Sequence, residues 1–76
     1  MAASPTEPNE VWQLIKRADD LVKYSANRDP AVAREQARKV LDEARRAAAA
    51  LPDRQAGQAL AAQVRTRLED LERLEE

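Results

Sequence analysis

The side chains able to do chemistry in this sequence are carboxylates and guanidiniums, and little else. Fourteen Asp and Glu stand against thirteen Lys and Arg, ten of them Arg, with no histidine and no cysteine. That leaves no thiolate nucleophile, disulfide framework, imidazole base or usual zinc site. A carboxyl group does acid–base work near neutrality only when burial lifts its pKa, and no Asp or Glu falls on the apolar stripes described below. Ser4 and Ser25 lie near ends or turns, with no histidine to activate them. A single glycine, Gly57, excludes a glycine-rich phosphate loop. No short Asp/Glu-rich loop has the form of a calcium site. The residues therefore predict a protein that is not an enzyme, with no catalytic residue, cofactor or metal.

Binding offers better candidates. Trp12 sits about 100° from Val11 on a helical wheel, so it either covers one end of the fold or anchors a partner, as Trp often does. Tyr24, near the first connection, has the same two roles open to it at the opposite end. Residues 27–51 carry six positive and four negative charges, with Arg34, Arg38, Lys39, Arg45 and Arg46 concentrated in the second segment. Such a strip is either a solvated face or a docking site for an acidic partner, where Arg pairs carboxylates bidentately. Glu35, Asp42 and Glu43 interrupt it and no aromatic is interleaved, which argues against nucleic acid, as does a net charge of −1.

The elements that position these groups are helices. Prolines fall at 5, 8, 30 and 52, and the stretches between them are rich in strong helix formers. Asp29-Pro30 and Pro52-Asp53 read as boundaries, each with an aspartate to cap the next helix. Ser4-Pro5-Thr6-Glu7 matches a capping box, and Asn9 offers a later cap. These signals predict helices over roughly 7–26, 30–51 and 54–74, with 1–6 a flexible N-terminal segment. Apolar positions repeat at three- and four-residue steps. The first segment has Val11, Leu14, Ile15, Ala18, Leu21, Val22 and Ser25. The second has Ala33, Ala37, Val40, Leu41, Ala44, Ala48 and Leu51, and the third Gly57, Leu60, Ala61, Val64, Leu68, Leu71 and Leu74. Glu35–Lys39, Asp42–Arg46 and Arg38–Asp42 add weak helical pairs, while the acidic end from Glu69 to Glu76 opposes the helix dipole and should fray.

Short connections between three similar helices predict an all-α, antiparallel up-down-up three-helix bundle. Sixteen of the 76 residues are Ala, so the core is slim and its margin over the cost of ordering the chain is small. The alanine-lined face of the second helix, beside Leu60, Val64 and Leu71, reads as a groove for another helix or for a second copy. No apolar run approaches the roughly 20 residues of a membrane span, and neither a signal peptide nor a lipidation motif is present. The expected setting is the cytoplasm, away from membranes.

From Leu14 to Leu74 the pattern resembles the MIT (microtubule-interacting and transport) domain, itself similar to the tetratricopeptide hairpin. The resembling features are Leu14, Ala18, Leu21 and Val22, then Asn27 before a proline-started helix, then Ala37, Val40, Leu41 and Ala44, and last the run from Arg67 to Leu74. Two departures stand beside it. No aromatic lies between Ala31 and Glu76, where the second MIT helix commonly has one, and Lys16 and Asp19 occupy the tetratricopeptide glycine and tyrosine positions. The resemblance implies a module that holds amphipathic helices in grooves, without catalysis. The function expected is thus a small protein-interaction module that binds a helix or tail of a partner protein. Trp12, Tyr24, Arg38, Arg45, Leu60 and Val64 are its candidate contacts. The alternatives are a self-associating structural subunit and, more remotely, a nucleic-acid-associated protein.

Overall fold

The computed structural model describes residues 7–23 and 29–75, the last two without their side chains. Three helices account for nearly all of this: α1 (Pro8–Lys23), α2 (Pro30–Ala50) and α3 (Arg54–Glu75). They form the all-α, up-down-up three-helix bundle that three similar helices with short connections predict. Tyr24, Ser25, Asn27, residues 1–6 (expected to be flexible) and the last residues expected of the first helix lie outside the described residues.

Each helix start has a local cause. At α2, Asp29 is extended (φ −61°, ψ 121°) and its carboxylate accepts the Ala31 amide at 2.9 Å, with Pro30 in the first turn. At α3, Asp53 Oδ1 accepts the amides of Gln55 at 3.0 Å and Ala56 at 3.1 Å. Each cap is worth about 1 kcal/mol. At α1 the cap expected from Asn9 does not form. The helix begins at Pro8, and the Glu7 carbonyl accepts the amides of Glu10 at 3.0 Å and Val11 at 3.4 Å, so Asn9 lies inside the first turn. α2 stops at Ala50, one residue before its expected end. Pro52 disfavours helical angles at the residue before it, and Leu51 is extended (φ −64°, ψ 136°) with its amide on the Ala48 carbonyl.

The core is a shared seam with α2 at its centre. Val11, Ile15 and Ala18 of α1 and Val64 and Leu71 of α3 are buried against a face of α2 built from Ala33, Ala37, Leu41, Ala44, Ala47 and Ala48. Small side chains let both neighbours approach closely, so α2 meets each of them along its length, while α1 and α3 meet each other least. The alanine face is consequently not the open groove expected of it: Ala37 and Ala44 are fully buried and Ala33 and Ala48 nearly so. Its apolar surface is satisfied inside the chain.

The tightest approach is at the α2–α3 corner. Gly57 is buried, and a Cβ there would lie 2.6 Å from the Ala48 carbonyl oxygen. That is well inside van der Waals contact and against backbone, which moves only at a cost. The glycine is required by proximity, since its backbone angles are ordinary.

Candidate interaction surface

With the alanine face closed, a partner would have to meet an outer helix face or a seam edge. The outer side of α2 carries a shallow, open depression of about 870 Å³, which reaches α3 at Leu68. Arg38 and Arg45 both line it, and Leu68 is a half-buried apolar side chain packed on the core. Glu35, Asp42 and Glu43 line the depression as well, so the face combines both charges with one apolar contact.

The charges of that face are organised by Asp42. Its two carboxylate oxygens are held separately, Oδ1 by Arg45 at 2.6 Å and Oδ2 by Arg46 at 2.5 Å. The Arg45 hydrogen bond, opposed by desolvation and reinforced by the Arg46 and Arg45 charges, holds Asp42 below the ordinary carboxylate range. Glu35 and Lys39 lie 3.9 Å apart as an exposed pair. Much of the basic strip is thus balanced along its own helix. Arg34 adds a buried Nε with no hydrogen-bond partner among the described residues.

A second cluster joins α1 to α3. Arg67 Nε donates to Asp19 Oδ1 at 2.8 Å and Oδ2 at 3.1 Å, and its Nη1 reaches the Gln63 side-chain and main-chain oxygens at 2.9 and 3.2 Å. The same guanidinium lies 5.6 Å from the centroid of the Trp12 ring. A partly exposed ion pair of this kind is worth about 0.5–1 kcal/mol and the cation–π contact a similar amount. Beside the pair is an apolar cleft of about 270 Å³ between α1 and α3, with Ala18, Val22, Leu41 and Leu71 among its walls.

The residues singled out in the sequence are therefore dispersed. Arg38 and Arg45 share the α2 depression. Trp12, 38% exposed, belongs to the α1–α3 cluster. Leu60 is half-buried against the core, and Val64 is fully buried within it, so its side chain meets other core residues and no solvent-borne partner. Tyr24 lies outside the described residues. Sequence reasoning passed over Leu68, Asp19, Gln63 and Arg67 as contacts. The Arg67–Asp19 pair spans 48 positions, so no local spacing signals it. Its one trace is that Asp19 follows Ala18, and Arg67 precedes Leu68, on the apolar stripes.

Among the described residues, no group of three or more Asp or Glu could hold a metal ion, and no helix is long and apolar enough to cross a membrane. Fold and surface together define a small three-helix bundle with a depression lined by four cations, three carboxylates and Leu68. Comparison with known proteins finds no match to a family model, a curated protein or a solved structure.

Proposed function

We propose that this chain is a non-enzymatic interaction module of the cytoplasm that docks an amphipathic helical segment of another protein along the α2–α3 face. The observation that carries the reading is one open depression lined by Leu68, Arg38 and Arg45 together. An apolar side chain that shares a depression with guanidiniums suits a helix with an apolar stripe flanked by carboxylates, since Arg pairs carboxylates bidentately. The MIT-like text of residues 14–74 supports the same mode of binding. Self-association loses its main motive, because the alanine face it would use is buried. Nucleic-acid binding is disfavoured because the net charge is −1 and no aromatic is interleaved with the basic residues of α2.

A photo-crosslinking residue placed at Arg38 tests this in native extract, with the same residue at exposed Arg17 of α1 as the comparison. The expected result is one defined adduct from position 38, lost when Arg45→Glu is added, and none from position 17. Equal adducts from both positions, or none from position 38, would overturn the reading.

A further inference from the structure

The three helix seams are not held in the same way. The α1–α2 and α2–α3 seams bury apolar side chains along the whole face of α2. The α1–α3 seam is the least extensive, and a charged cluster bridges it. Asp42 with Arg45 and Arg46, Glu35 with Lys39, and Asp70 with Arg73 each pair within one helix, whereas Arg67–Asp19 crosses from α3 to α1. Arg67 is the more enclosed partner, its side chain 22% exposed against 46% for Asp19. Both line the apolar cleft between the helices.

We propose that the Arg67–Asp19 pair is an electrostatic latch on the α1–α3 seam, whose release lets α3 part from α1 while both remain on α2, widening the cleft walled by Ala18, Val22, Leu41 and Leu71. The seams respond differently to salt. Apolar burial is not weakened by added salt and strengthens with some salts, whereas a partly exposed ion pair is screened. Loss of the pair therefore acts first on the seam it bridges, while the apolar burial on α2 is kept. The latch is independent of whether the α2 depression binds a partner.

The chain has no cysteine, so spin labels can be placed at chosen positions. Lys16→Cys with Arg65→Cys reports the α1–α3 distance, and Lys16→Cys with Lys39→Cys reports α1–α2. In Asp19→Asn, the α1–α3 distribution should lengthen or broaden by more than about 2 Å, beyond the small shifts of packed helices, with α1–α2 unchanged. Asp20→Asn, an equal charge change one residue away, should leave both distances as they were. The unsubstituted helix seam at roughly 1 M salt should move in the same direction as Asp19→Asn, which keeps the test valid if that variant fails to fold. An unchanged α1–α3 distance in the variant or in salt, or an equal movement of α1–α2, would overturn the latch.

Discussion

Replacing Gly57 by alanine sets two residue-scale effects against each other. Helix propensity alone favours alanine by about 1 kcal/mol, but the new Cβ would lie 2.6 Å from the Ala48 carbonyl oxygen. Forcing a methyl into a closed contact costs about 1–3 kcal/mol, so Gly57→Ala should lower stability in urea denaturation; a gain would mean the corner is loose. Asp42 gives a second prediction. Its carboxyl titrates below its ordinary value of 3.8, chiefly through the Arg45 hydrogen bond. Its contribution is thus fully present above the unfolded-state value and is lost as pH falls through the folded one. Asp42→Asn should be less stable than the parent at neutral pH, and the difference should close below about pH 4. A gap that persists in acid would show that the charge is not its cause. At this scale local chemistry was legible and distant chemistry was not. Asp29 and Asp53 announced themselves as caps by standing beside prolines, while Asp19 and Arg67 meet only because the fold brings them together.

Among the elements, α2 carries the argument. Its alanines are thin because two helices press on them: Ala37 and Ala44 are fully buried. Ala44→Leu, which adds apolar surface, should therefore destabilise the bundle by about 1–3 kcal/mol through overpacking. If Ala44→Leu were neutral or stabilising in thermal unfolding, the face would have to be open as its composition first suggests. Asp53→Ala should cost about 1 kcal/mol by freeing the amides of Gln55 and Ala56; an unchanged denaturation midpoint would show the cap to be redundant. The stripes of all three helices were readable from three- and four-residue spacing, and Val11, Ile15, Leu41, Val64 and Leu71 are buried as the spacing requires. What spacing does not encode is what covers a stripe. An alanine face can admit a partner or a neighbouring helix, and here α1 and α3 take it.

For the whole molecule, the consequence is a bundle whose apolar faces are largely satisfied within one chain, with a charged depression on the outer side of α2 that reaches Leu68. Up-down-up order was legible because the connections are short. The relation of α3 to α1 was not, because it depends on a seam of modest area and on the Arg67–Asp19 contact. The most direct measurement is the solution mass by light scattering over a broad dilution series. The account predicts the monomer mass of 8.5 kDa at every concentration. A stable dimer, or a mass that climbs with concentration, would contradict it, because a second copy would then hold the surface assigned to a partner.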